Sequence, residues 1–256
     1  MRLTSRIGFI LPSVLSLMLA IPTGIHAQSP SDAQIRADVQ KGLGNKRFSD
    51  VQVTVNNGVV SLNGHVQRFS DKEDAERKAH HVKNATAISN QIEVAVPEGI
   101  SDAALHEKLA KGLVYDRVGY GTTVYNNITL NVDHGVVTLG GMVYGPTDKD
   151  SAISLVANTP GVRDIVDNLE VAPVSPMDDR IRVAEARAIY GYASLNRYAL
   201  DPAKSIRITV VNGHVTLNGV VDSKSDRDTA GIRANSVPGV FSVENHLQVV
   251  GQQQEH

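Results

Sequence analysis

The sequence predicts an α+β protein built from three tandem copies of one small unit. Each unit is ordered helix–strand–strand–helix–strand, with two helices packed on one face of a mixed three-stranded sheet. Three observations carry that prediction: a glycine-bounded string recurs three times, apolar residues alternate on both sides of a turn dipeptide, and helix-spaced apolar stripes flank each copy. The string is Gly58-Val-Val-Ser-Leu-Asn-Gly64-His-Val66, then Gly135-Val-Val-Thr-Leu-Gly-Gly141-Met-Val143, then Gly213-His-Val-Thr-Leu-Asn-Gly219-Val-Val221. The separation from first glycine to closing polar residue is also constant: Gly58 to Asn90, Gly135 to Asp167, Gly213 to Asn245.

Residues 1–27 read as a secretory signal peptide. Arg2 and Arg6 make a basic start, Ile7–Ile21 is mostly apolar but broken by Pro12, and Ile25-His26-Ala27 is a cleavage site ahead of Gln28. The run falls short of the ~20 apolar residues that span a bilayer. No Cys follows it to take a lipid anchor. The exported chain then divides into units at 28–98, 99–174 and 175–250, with a polar tail at 251–256. Val96-Pro97-Glu98-Gly99 and Ala172-Pro173-Val174-Ser175-Pro176 are short, stiff linkers.

Each unit opens with a helix, marked by Ile35, Val39 and Leu43, by Leu105, Leu109 and Leu113, and by Ile181 and Ile189 with Glu185 interrupting the third stripe. A period-two strand follows (Val51, Val53, Val55; Ile128, Leu130, Val132; Ile206, Ile208, Val210). Asn57-Gly58, His134-Gly135 and Asn212-Gly213 then suit a two-residue type I′ hairpin. The second glycine of each string marks a bulge or a close backbone approach. Ser70-x-x-Glu73, Thr147-x-x-Asp150 and Ser225-x-x-Asp228 resemble capping boxes that open the second helix. That helix carries small residues at helical spacing: Ala75, Ala79 and Val82, then Ala152, Val156 and Thr159, then Ala230, Ala234 and Val237. Pro160-Gly161 and Pro238-Gly239 end it in the second and third copies, and a last strand closes each unit.

Composition removes several functions. Without Cys there is no disulfide scaffold, thiolate metal site or thiol nucleophile, and without Trp and with 4% aromatics there is no stacking platform for nucleic acid. A net charge of −2 gives no field to attract a polyanion. His80 and His81 are adjacent on a helix and point about 100° apart, which is poor geometry for one metal. Asp148–Asp150 and Asp226–Asp228 are explained by helix capping. No catalytic residue, metal site or cofactor is expected, and no small-molecule substrate.

The repeated Gly-x-Val-x-Leu-x-Gly-x-Val core, the Pro-Gly-Val turns at 160–162 and 238–240, and the closing Asn with its apolar neighbours together resemble the BON domain. This bacterial module occurs in periplasmic osmotic-stress proteins, some secretins and outer-membrane-associated lipoproteins. The motif glycines are Gly58, Gly64, Gly135, Gly141, Gly161, Gly213, Gly219 and Gly239. The resemblance implies a periplasmic, non-enzymatic protein that binds phospholipid surfaces, weakly through each domain and more strongly through several, in envelope or osmotic stress. An alternative is an adaptor or chaperone for envelope proteins. The first copy departs from the pattern at Lys83-Asn84-Ala85, where its second helix is expected to run on or end differently. The second and third copies lengthen the segment from first helix to first strand.

Those lengthened segments hold six of the seven tyrosines. Lys111, Tyr115, Arg117, Tyr120, Arg187, Tyr190, Tyr192, Arg197 and Tyr198 form a candidate binding surface there, since Tyr with Arg suits headgroup-level membrane contact or a protein interface. Pinning a long loop to its own core would also call for large side chains, and the sequence supports both readings equally.

Overall fold

The computed structural model describes residues 30–251 except 98 and 117–119. The predicted signal peptide lies outside the described residues. The first unit runs α1 (Pro30–Gly42), β1 (Gln52–Asn56), β2 (Val59–Val66), α2 (Phe69–His80), β3 (Ala87–Val94). The second runs α3 (Asp102–Tyr115), β4 (Asn127–Asp133), β5 (Val136–Val143), α4 (Pro146–Ala157), β6 (Asp164–Val171). The third runs α5 (Pro176–Tyr190), β7 (Arg207–Val211), β8 (His214–Val221), α6 (Lys224–Asn235), β9 (Ser242–Val249). In each sheet the middle strand of the sequence is also the middle strand in space. It pairs antiparallel with the strand before it and parallel with the strand after it, the second helix making the crossover.

The hairpins form as their dipeptides predict. Asn57 and Gly58 have φ of 50° and 79°, His134 and Gly135 49° and 76°, Asn212 and Gly213 52° and 79°. Both central residues are left-handed, as a type I′ turn requires. The second glycine is a close approach: a Cβ at Gly64 would overlap the carbonyl oxygen of Asp50, and one at Gly141 that of Asn127.

Two local expectations need correction. The second helices start earlier than the capping boxes imply, with N-caps at Arg68, Gly145 and Ser223. Only Ser223 caps by its side chain, accepting from the Asp226 amide at 3.1 Å and donating to the Asp226 carboxylate at 2.6 Å. Nor does α2 run on. It ends at His80, and Asn84 takes φ 69°, replacing the left-handed glycine of the other copies (Gly161, Gly239). Asn tolerates that region because its short side chain bonds locally.

The core lies between the helix pair and one face of each sheet, with Ala75, Ala79, Ala152, Val156, Ala230 and Ala234 fully buried where the second helix meets the strands. Apolar residues of the first two units form one contiguous buried cluster. The third unit has its own, against which Val124 and Tyr125 of the second unit pack.

Candidate interaction surface

A carboxylate near the start of each first helix holds the hairpin of its own unit. Asp32 accepts the amides of Asn57 and Gly58, both at 2.9 Å. Asp102 accepts those of His134 at 2.7 Å and Gly135 at 2.9 Å, and Asp178 those of Asn212 at 2.9 Å and Gly213 at 2.8 Å. The two left-handed residues of a type I′ turn aim their N–H groups the same way, so one carboxylate satisfies both. Sequence reasoning missed these residues. The available signal was an Asp three positions before the first core residue of each copy: Ile35, Leu105 and Ile181.

A second buried carboxylate, seven positions after the second glycine of each copy, ties down the segment between first helix and first strand. Asp71 pairs with Arg47 at 3.0 Å. Asp148 accepts from the Asn126 amide at 2.6 Å, while Asn126 accepts the Tyr144 backbone N–H at 2.7 Å. Asp226 pairs with Arg197 at 2.6 Å and accepts from the Tyr198 hydroxyl at 3.1 Å. The closing polar residues have a local task as well: Asn90, Asp167 and Asn245 each accept the backbone N–H two residues ahead and bond back to the second helix.

The tyrosine-rich segments are largely internal fastenings. Tyr198 is 1% exposed, and its hydroxyl also accepts the Asp222 N–H at 2.8 Å. The Tyr190 hydroxyl donates to the Ile206 carbonyl, and burial holds the phenol far above its usual range. Tyr115 donates to Asp201 across the joint between second and third units at 2.6 Å; that bond raises the phenol and lowers the carboxyl. Lys111 is exposed on α3, Arg117 lies outside the described residues, and Tyr120 opens a 3₁₀ turn, Tyr120–Tyr125. Among the described members, Tyr190 and Tyr198 are thus turned into the third unit rather than outward. Exposed among the third-unit members are Arg187, Arg197 and Tyr192, which is 44% exposed beneath the Arg233 guanidinium, 5.4 Å from its ring centroid.

What the third unit does present is the outer face of α5. Met177, Arg180, Val183, Ala184 and Arg187 fall on one helical stripe, with no acidic residue among them. The stripe continues past Met177 into an apolar turn where Phe241 is 79% exposed and Val174 almost wholly so. Met177 and Phe241 line one recess of about 380 Å³ with Val240 and Gly213. Beyond the other end of α5 lie Tyr192 and Arg233, and α6 adds Ile232, 68% exposed. Among the described residues, Asp102, Asp133 and His134 also bring one potential metal ligand each within 4.8 Å of one another. Both oxygens of Asp102 are already taken by the turn, and Asp133 faces the His134 ring at 2.7 Å.

Three helix–strand–strand–helix–strand units with the same fastened hairpin define a repeat protein of small α+β modules. The BON domain pattern matches residues 31–96, 101–173 and 192–251, and the chain belongs to that family. A relative is Osmotically-inducible protein Y of Escherichia coli (strain K12), 28% identical over 160 residues that make up 58% of this chain and 73% of that protein. Likeness to solved structures is slight. CdsD, a structural protein of the type III secretion system of Chlamydia trachomatis, gives a TM-score of 0.25 at 15% identity, covering 85% of this chain and 92% of that one. The PrgH periplasmic domain gives 0.21 at 11%, covering 83% and 98%. The third family match begins at residue 192 and so leaves α5 outside it.

Proposed function

We propose that this protein is a non-catalytic, exported envelope protein serving in osmotic or envelope stress, and that it docks on phospholipid headgroups through the outer face of α5 and the adjoining turn. The name of its relative, Osmotically-inducible protein Y, supports the stress role, and the leader-like residues 1–27 support export. The observation that carries the lipid reading is the α5 stripe: guanidinium groups for phosphate alternate with Val183, Met177 and Phe241 for the acyl boundary, the composition of an interfacial contact. No described helix is long and apolar enough to cross a membrane.

An adaptor role has one favourable observation: β3, β6 and β9 are edge strands of eight residues each, open to strand addition. Those edges carry exposed charge (Glu93, Asp164, Asp167, Glu170, Glu244), the usual guard against pairing, which favours the lipid reading.

Sedimentation of the chain from Gln28 onward with phosphatidylglycerol vesicles tests the proposal. Retention at low ionic strength should weaken in high salt and exceed retention on phosphatidylcholine. Arg187→Gln should reduce affinity about fivefold, since one basic residue near an anionic surface contributes about 1 kcal/mol. Phe241→Ser should also weaken it. No retention at low ionic strength, or binding of an unfolded envelope protein without any lipid retention, rejects the reading.

A further inference from the structure

Val39 in α1 and Leu109 in α3 fill the centre of their first-helix stripes and are buried in the core. At the same place in α5 stands Glu185, 0% exposed, and neither carboxyl oxygen has a hydrogen-bond partner. A carboxylate cannot ionise in such a place without a partner or water, because the charge loses its hydration and gains nothing in return.

None of the ionisable groups on α5 or packed against it pairs with Glu185. On α5 itself, Asp178 accepts the hairpin amides, Arg182 pairs with Asp179 and donates to the Val210 carbonyl, and Tyr190 donates to the Ile206 carbonyl. Arg180 and Arg187 are exposed on its outer face. From β7, Arg207 donates to the carbonyls of Thr123 and Pro202. The 3₁₀ turn Asn196–Ala199 brings Arg197 and Tyr198, both on Asp226. On α6, Arg233 donates to the Ala188 carbonyl, and Asp228 pairs with Lys224 and Arg227. From the second unit come Tyr125 and Tyr144, their rings 5.8 Å apart. No charge offsets the burial, which pushes the Glu185 carboxyl up to about 8.

We infer that the third unit is a proton-dependent element: α5 seats on its sheet while Glu185 is protonated, and loss of that proton drives α5 to lift and admit water, while α1 and α3 do not respond. The direction follows from linkage. The folded unit holds a proton that the opened chain releases in the ordinary carboxyl range near 4.3. Closure is therefore fully favoured below that range, weakens as pH rises through the interval up to about 8, and is flat above it. The inference stands whatever the outer face of α5 binds.

Hydrogen exchange of the full chain between pH 5 and 8, corrected for intrinsic rates, reads it. The opening constant for α5 amides from Arg182 to Tyr190 should rise by up to tenfold per pH unit, with α1 and α3 as internal controls. Glu185→Leu, which restores the aliphatic residue of the other copies, should remove the slope and protect α5 more strongly at pH 8. Glu185→Gln should also remove the slope while leaving α5 less protected than the Leu variant. An α5 profile parallel to α1 and α3 in the unmodified chain, or a slope that persists in the Leu variant, overturns the inference.

Discussion

Asp178 accepts two amides from a turn 34 and 35 residues further along the chain, and it is 1% exposed. Removing that carboxylate leaves two donors without a partner, each worth about 1–3 kcal/mol when buried. Asp178→Ala should therefore lower stability by about 2–4 kcal/mol in urea unfolding. Asp178→Asn should recover only part, because an amide presents one oxygen and turns its NH₂ toward the other donor. A helix-starting Asp reads in one dimension as a cap, the explanation that the sequence offers for Asp148–Asp150 and Asp226–Asp228. The partner of Asp178 lies across the fold, so its task was hidden. Glu185 was different: its break in an apolar stripe was legible, but its want of partners becomes visible only with the packed surroundings in view.

The hairpins, the small-residue crossover helices and the parallel third strands follow from period, turn dipeptide and glycine position. They could be placed from the sequence because each depends on residues close along the chain. The helix starts could not, because the N-cap of the second helix lies two residues before the Ser or Thr of each apparent capping box; Arg68 and Gly145 give no side-chain cap to betray it. At Gly141 the chain has φ 89° and passes against the Asn127 carbonyl. Gly141→Ala combines left-handed strain, about 1–3 kcal/mol, with a backbone overlap that the β4–β5 ladder must widen to relieve. Thermal unfolding should show a loss of at least about 2 kcal/mol. Gly99→Ala, in a linker with open space around it, should lose less.

Across the whole molecule, the tripling was legible and the joints were not. The lengthened segments drew attention through their tyrosines, and most of those rings prove to fasten loop to core or unit to unit. Arg207 reaches from β7 to the Thr123 carbonyl of the second unit, and Tyr115 reaches back to Asp201 of the third. Arg207→Ala should bring melting of the third unit out of coincidence with the second, lowering its stability by about 1–3 kcal/mol. Calorimetry of the variant should then resolve two transitions where a single one is expected of the unmodified chain, and hydrogen exchange of β7 and β8 amides should assign the earlier one to the third unit.

Only residues 172–175 separate β6 from α5, a reach of about 14 Å at full extension. Modules on so short a tie, with their flanks bonded together, cannot swing to find separate landing places. A flat membrane would meet this protein as one footprint with a fixed tilt. Its isotherm should then follow a single class of site, without the gain in avidity that independently roaming modules would bring.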